Sequence, residues 1–386
     1  MENSHAYINN FFDKLSSQVI KDDLRKDRTL IFGTAPPINK DLIINKISSD
    51  VITSLLLYDR IYIKIMRLSN FIDVFGLRDT SMLLEANILK VVDDKGFVSP
   101  LIENDNNTFG FGAMFEYVDL LKNIEEKLEI LYPSSNDEIT KVLYLAESKS
   151  VKLISEDFHN KILNELEIEF SKNKNKLFKS SKDVKNISPK DIVNVQRIIS
   201  LNECLLYGEA LKAKNMIFDG FVKSYLQIKF SPYLSKENDG LEIFGKMLIL
   251  KRVPDLGKLY LKNVITIKDI LQIRNNINGK KFRQWYLDKN YSEDEFISEL
   301  LKKGKTDSNI LTKLLRWSIP NMIGLANPVL GIEASGIDSF IIEKIIKGWN
   351  PNIFLDDVLK RAIDKKNADY NKIKLCEEGM AWSDYS

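Results

Sequence analysis

The chain has 386 residues, 44% of them hydrophobic, and its 56 basic and 54 acidic residues leave a net charge of only +2. This length suits two or three domains with a buried core, and the balanced charge excludes attraction of nucleic acid or membrane by a global field. Two histidines and two cysteines, none close together, exclude zinc motifs, disulfide frameworks and imidazole- or thiol-based catalysis, but leave open carboxylate-bound hard cations.

The beginning of the chain, MENSHAYINNFFDKL, lacks the basic and apolar regions of a signal peptide. Free thiols suit a reducing compartment, and no apolar run reaches the ~20 residues of a spanning helix. We therefore predict a cytoplasmic protein without a transmembrane segment. Abundant Lys, Ile and Asn indicate an AT-rich genome and a bacterial source.

Alternating helix and strand patterns occupy the first part of the chain. Helical spacing over 43–58 is followed by the β-branched run RIYIKI, and the run VKLIS follows two further helical segments. The sequence ILKVVDDKGFVSP (88–100) predicts a hairpin with Gly96 at a bulge position. We predict an α+β, mostly α fold that begins with an α/β domain over 1–171, with short strands near 60–65, 88–99 and 151–155.

Helical periodicity dominates the rest of the chain. The lysine-rich run 172–187 is typical of a solvated linker, so a domain boundary is expected there. The following helical domain, 188–386, contains an unusual apolar segment rich in Gly and Pro at 316–351. This segment could be a buried irregular crossing, or it could present an apolar surface to a partner or to a membrane face.

A carboxylate cluster would allow one enzymatic function, a nuclease dependent on Mg or Mn. The run VLYLAESKSVKLISED (142–157) resembles a stretch of PIN-like nucleases, in which a helix and a strand deliver an acidic residue. The opening strand with a terminal Asp that this family requires is absent, because Asp59 precedes its strand. Solvated helix and strand ends are the alternative explanation. The candidate catalytic residues are Asp59, Glu147, Glu156 and Asp157.

Two helical runs split at Gly76, followed by the predicted hairpin, resemble a winged helix over 68–102. This order would suit a nucleic-acid-binding regulator. The second helical run offers only Arg78 to phosphate, and the same order arises wherever a helix precedes a hairpin.

Aromatic and basic residues alternate in RNNINGKKFRQWYL (274–287). Such residues can anchor a protein partner, whereas aromatic side chains at i, i+3 and i+4 also describe the core face of a helix. The candidate partner-binding residues are Arg274, Phe282, Arg283, Trp285, Trp317 and Trp349.

No nucleotide cofactor is predicted. The run from Gly240 to Met247 matches GxxxxGK but lacks the Ser or Thr that holds Mg²⁺, and its interior residues are large. A Gly-started helix that buries Phe244 and Met247 is the simpler interpretation.

We therefore predict a non-catalytic interaction or regulatory component that binds a protein partner or itself. The order VPDL, a short helix, IRNNINGKKFRQWYL and the later apolar Gly/Pro segment resembles uncharacterised bacterial helical proteins, some of them from phage-defence loci. This resemblance implies work within a multi-protein, phage-defence-like system. The nuclease and the nucleic-acid-binding regulator stand as alternatives.

Overall fold

The structure is a computed structural model that forms two compact units. Unit 1 comprises Met1–Ile47 and Tyr58–Pro232, and unit 2 comprises Ser48–Leu57 and Tyr233–Ser386. The residues it describes are 5–9, 40–93, 96–103, 108–115, 120–153, 156–177, 187–188, 191–213, 215–218, 244, 247–249, 251–288 and 350–383.

A five-stranded parallel sheet is the centre of unit 1. The strands stand in the order β6-β3-β2-β1-β7, and every neighbouring pair is parallel. Parallel strands need crossover connections, and the helices between them supply these. The strands are β1 (His5–Asn9), β2 (Arg60–Lys64), β3 (Leu89–Asp93), β6 (Val151–Lys152) and β7 (Asn215–Phe218).

The predicted hairpin over 88–100 is wrong. Its first half is β3, which lies between β2 and β6 in the parallel sheet, and its second half belongs to β4 (Gly96–Glu103). β4 pairs instead with β5 (Thr108–Phe115) in a separate antiparallel ribbon. The strand pair expected as the wing of a winged helix at 68–102 is therefore divided between two sheets.

Helices connect and cover the strands of unit 1. Tyr62 and Val92 of the sheet share a buried cluster with side chains of the helices after β6, including Phe170 and Tyr207. The helices are α1 (Lys40–Leu57), whose last ten residues belong to unit 2, α2 (Leu68–Glu85), α3 (Leu120–Leu131), α4 (Asn136–Ser148), α5 (Glu156–Leu177) and α6 (Ile192–Ala210).

The division between the units differs from the predicted boundary in 172–187. Helix α5 continues through the first lysines of that run to Leu177, and the chain remains in unit 1 beyond the run. There β7 pairs with β1, although only helices were predicted after residue 188. Backbone pairing between β1 and β7 thus holds both ends of unit 1 in one sheet, and the division falls after Pro232.

Helices and an aromatic cluster make up the described part of unit 2. Phe282 is fully buried, with its ring centroid 4.6 Å from that of Phe354 and 5.6 Å from that of Phe244. Of the Gly/Pro-rich segment 316–351, only the last two residues are described. The elements after residue 250 are α7 (Leu256–Leu261), α8 (Ile267–Asn275), α9 (Ile277–Asp288), a π-helix (Ile353–Lys360) and α10 (Arg361–Ser383).

Helix α8 begins with a capping box that is reinforced by an ion pair. The Thr266 backbone N–H and hydroxyl donate to Asp269 Oδ2, over 3.0 and 2.9 Å, and Lys366 Nζ lies 2.8 Å from Asp269 Oδ1. Burial raises the pKa of the Asp269 carboxyl, but hydrogen bonds from Lys366 and Thr266 and the Lys366 charge outweigh it, so the pKa lies below its ordinary value of 3.8.

Replacing this carboxylate with an amide (Asp269→Asn) should lower the free energy of unfolding of unit 2 by about 1 kcal/mol at pH 7. A carboxyl whose pKa is lower in the folded state stabilises the fold at pH values above its unfolded-state pKa. This stabilisation is lost as the pH falls through the folded-state pKa. The difference between variant and wild type should therefore shrink below pH 3.8. Urea unfolding followed by tryptophan fluorescence measures the free energy of unfolding of unit 2, because all four tryptophans belong to that unit.

Asp364→Asn is the matched control, because it removes an equal charge from an i,i+4 pair with Lys360 whose Asp364 side chain is 54% exposed. An exposed pair of this kind contributes about 0.5 kcal/mol or less. Equal losses in the two variants, or a difference independent of pH, would contradict the role assigned to Asp269.

The fold is α+β and mostly helical, as predicted, and strands occur near 60–65 and 151–155, as predicted. Among the residues that the structure describes, no helix has both the length and the apolar character that crossing a bilayer requires.

Candidate functional site

The carboxyl edge of the parallel sheet is the candidate site in unit 1. Along the chain, β2, β3 and β6 follow β1 in order toward one side of the sheet. The last strand, β7, pairs with the other side of β1. Where the strand order reverses, the crossovers leave on opposite faces and open a crevice at the carboxyl ends of the strands. In this sheet the reversal lies at β1, whose last residue, Asn9, pairs with Phe218 of β7.

A buried ion pair lies at this edge of the sheet. Lys64 is the last residue of β2, and its Nζ pairs with Glu203 Oε1 on α6. The Lys64 side chain is 2% exposed and that of Glu203 is 15% exposed, so solvent reaches only the carboxylate. The Tyr207 ring centroid lies 5.8 Å from Nζ, within the range of a cation–π contact. The lysine therefore has an anionic partner and an aromatic one.

Strand and helix periodicity explain why these groups meet. Side chains two apart on a strand share a face, so Lys64 lies on the same face of β2 as Tyr62, which is buried with residues of α5 and α6. Glu203 and Tyr207 are four apart on α6 and therefore also share a face. Lys64 on the strand and Glu203 on the helix thus lie on faces that pack together, and this brings the ion pair together.

A second polar group follows β2 along the chain. A 3₁₀ turn, Ile65–Arg67, leads directly from Lys64 into α2. In the first turn of α2 the Ser69 hydroxyl donates to Asn70 Oδ1 over 3.1 Å and accepts from Lys127 Nζ of α3, also over 3.1 Å. Asn70 is 3% exposed, and its Nδ2 makes no hydrogen bond in the structure. This edge of the sheet therefore carries several buried donors.

The direction of the strands determines at which edge of the sheet each predicted nuclease carboxylate lies. Asp59 precedes β2 and Glu147 precedes β6, so both lie at the amino edge of the sheet, whereas Glu156 and Asp157 follow β6. The Glu147 side chain is exposed, and those of Glu156 and Asp157 lie outside the described residues. Where side chains are described, no three His, Cys, Asp or Glu residues are grouped to hold a metal ion.

Four of the six predicted partner-binding residues lie in the interior of unit 2. Phe282 is 0%, Trp285 3%, Arg274 4% and Arg283 6% exposed. Arg274 Nη1 donates to the Leu55 carbonyl at the end of α1, and Arg283 Nη1 donates to the Arg274 carbonyl over 2.7 Å. This burial matches the alternative interpretation, a helix core face. Trp317 and Trp349 lie outside the described residues.

Sequence reasoning missed both Lys64 and Glu203. The signal available was a lysine inside the β-branched run RIYIK, four of whose positions are buried. A second signal was a glutamate on the apolar face of α6, between Ile199 and Tyr207 at helical spacing. Nothing in either segment identified the other as its partner, because 139 positions separate the two residues.

No protein-family model matches this chain, and comparisons with curated proteins and with solved structures find no match, so the functional inference depends on the geometry of the site.

Proposed function

We propose that unit 1 binds a small ligand with an acidic group at the carboxyl edge of its parallel sheet. The protein would then be a non-catalytic, ligand-responsive component, in keeping with the regulatory role expected from its sequence. The observation that carries this proposal is the buried Lys64, which ends a central strand and pairs with the only partly buried Glu203.

The cost of the ion pair supports a binding role. Removing a lysine and a glutamate from water costs several kcal/mol for each ion, and apolar residues of similar size often serve stability equally well. Here the pair occupies the end of a strand where parallel sheets ordinarily hold their ligands. A requirement for charge at this place explains why an apolar pair does not stand there.

The chemistry of the pair indicates the ligand class. Lys64 Nζ is a donor enclosed by protein, and Glu203 faces the solvent side. A ligand carboxylate or phosphate could replace the Glu203 carboxylate at Nζ without leaving Lys64 buried and unpaired. The displaced carboxylate could then be hydrated or accept a hydroxyl or amine of the ligand. Because Glu203 belongs to α6, such a replacement would also act on that helix.

The test is hydrogen exchange of the full-length chain with a panel of acidic metabolites: dicarboxylates, sugar phosphates and nucleotides. A ligand at 100 times its Kd stabilises the state that binds it by about 2.7 kcal/mol, which slows exchange from unfolded unit 1 about 100-fold. Protection is expected in β2 and α6. Tryptophan fluorescence serves as the internal control for unit 2, since all four tryptophans belong to that unit.

The variant Lys64→Met/Glu203→Leu tests the site, because it removes both charges and leaves none buried alone. The proposal predicts that this variant loses the protection. Protection that persists in the double variant, or a panel in which no acidic compound protects β2 and α6, would count against the proposal.

A further inference from the structure

A second group of charges lies at the opposite, amino edge of the parallel sheet. Arg60 opens β2, Lys90 is the second residue of β3, and Lys149 lies two residues before β6. Tyr62 pairs with Lys90, and Arg60 shares the face of Tyr62, so Arg60 and Lys90 stand on the same face of the sheet. Parallel strands thus collect three cations, named here the amino-edge cluster.

Neutral oxygens hold the two lysines of the amino-edge cluster in place. Lys149 Nζ donates to the carbonyls of Leu84 and Glu85, over 3.0 and 3.1 Å, at the end of α2. Lys90 Nζ donates to Asn87 Oδ1 over 3.0 Å, and the Lys149 carbonyl is 3.5 Å from it. The last carbonyls of a helix favour cations, which explains the position of Lys149. These neutral oxygens do not neutralise the full positive charge of either lysine.

Cations outnumber carboxylates in this region: Arg60, Lys90, Lys149 and Lys141 stand against Asp59, Glu85 and Glu147. Burial lowers the pKa of Lys90, and the Arg60 and Lys149 charges lower it further. The Glu85 carboxylate lies 2.7 Å from Lys141, a fourth cation, and the hydrogen bond and charge of Lys141, together with the Lys149 charge, lower the pKa of this carboxyl. Among the described residues no carboxylate pairs with Arg60, and Arg60, Lys90 and Lys149 are each partly exposed. An anion could therefore reach all three cations from solvent.

We propose that the amino-edge cluster binds a phosphate group of a small ligand between Arg60, Lys90 and Lys149. The Arg60 guanidinium supplies a fork of donors suited to two phosphate oxygens, and the two ammonium groups supply point charges. Like charges placed this close repel one another, and a bound oxyanion removes that repulsion. A single phosphate fits three cations, whereas tight nucleic-acid binding uses about 6–10 phosphate contacts.

The first experiment uses the wild-type full-length protein and pyrophosphate as the probe. Lysine acetylation, quantified residue by residue by mass spectrometry, should slow at Lys90 and Lys149 when pyrophosphate is added to a chloride buffer of equal ionic strength. The exposed Lys152 of β6 should not change. Equal rates at Lys90 with and without pyrophosphate would overturn the proposal, whatever the behaviour of variants.

The second experiment compares two Arg→Gln variants. Arg60→Gln should weaken pyrophosphate binding about 10- to 100-fold, as expected for the loss of charged hydrogen bonds. Arg78→Gln removes the same charge from an exposed position of α2 outside the cluster, and should leave binding within about twofold of wild type. Equal weakening in both variants would indicate general charge attraction and refute the site.

A single-stranded oligonucleotide distinguishes the source of the phosphate. Pyrophosphate binding that depends on Arg60, without comparable oligonucleotide binding, supports a small ligand. Binding of the oligonucleotide alone would overturn the proposal in favour of nucleic acid. Lys64 and Glu203 lie at the other edge of the sheet. If no acidic ligand binds at Lys64, the outcomes expected for pyrophosphate at the amino-edge cluster therefore stay the same.

Discussion

Glu203→Gln is expected to lower the free energy of unfolding of unit 1 by about 3–5 kcal/mol, because it leaves Lys64 charged and 2% exposed without its carboxylate. Lys64→Met should cost less, about 1–3 kcal/mol, because the remaining Glu203 side chain is 15% exposed and water can reach it. The different burial of the two side chains thus predicts a larger loss of stability for Glu203→Gln than for Lys64→Met.

Combining Lys64→Met with Glu203→Leu should restore most of the lost stability, since neither charge is then buried alone. Hydrogen exchange of β2 and α6 amides under native conditions measures all three variants, and it suits unit 1, which has no tryptophan. A loss below about 1 kcal/mol for Glu203→Gln, or a double variant as unstable as the sum of the single ones, would show that the ion pair does not act as one unit.

Phe282→Ala is expected to lower the free energy of unfolding of unit 2 by about 3–5 kcal/mol. The Phe282 side chain is fully buried, and its ring centroid lies 4.6 Å from that of Phe354 and 5.5 Å from that of Trp285. The truncation removes these contacts and leaves a cavity. Urea unfolding followed by tryptophan fluorescence reports the change.

Ile277→Ala is the matched control on the same helix, α9, because the Ile277 side chain is 63% exposed. Its effect should stay within about 0.5 kcal/mol. The comparison also tests the predicted partner-binding role of Phe282. If Phe282→Ala kept its stability but lost self-association, the residue would act at an interface rather than in the core.

The mostly helical α+β fold could be predicted because hydrophobic periodicity is a local property. Helical spacing in 43–58 and the β-branched run RIYIKI correspond to α1 and β2. The strands β1 and β7 escaped prediction, because each is only four or five residues long and becomes a strand by pairing with a neighbour distant in sequence.

The predicted hairpin over 88–100 shows the same limit. The turn-like run DDKG separates two apolar runs, and this local pattern favours pairing between them. The parallel sheet instead takes the first run as β3, with hydrogen bonds to β2 and β6, while the second run pairs with β5. Long-range backbone pairing outweighed the local turn preference.

By itself, the sequence determined the fold class, the scarcity of His and Cys, and the aromatic helix face around Phe282, because each of these depends on residue type and short-range spacing. Only the tertiary structure decided which charges meet. Lys64 faces Glu203 across 139 positions, and Arg60, Lys90 and Lys149 gather because parallel strands begin at one edge. Contacts of this kind arise from chain topology, which no local pattern of residues encodes.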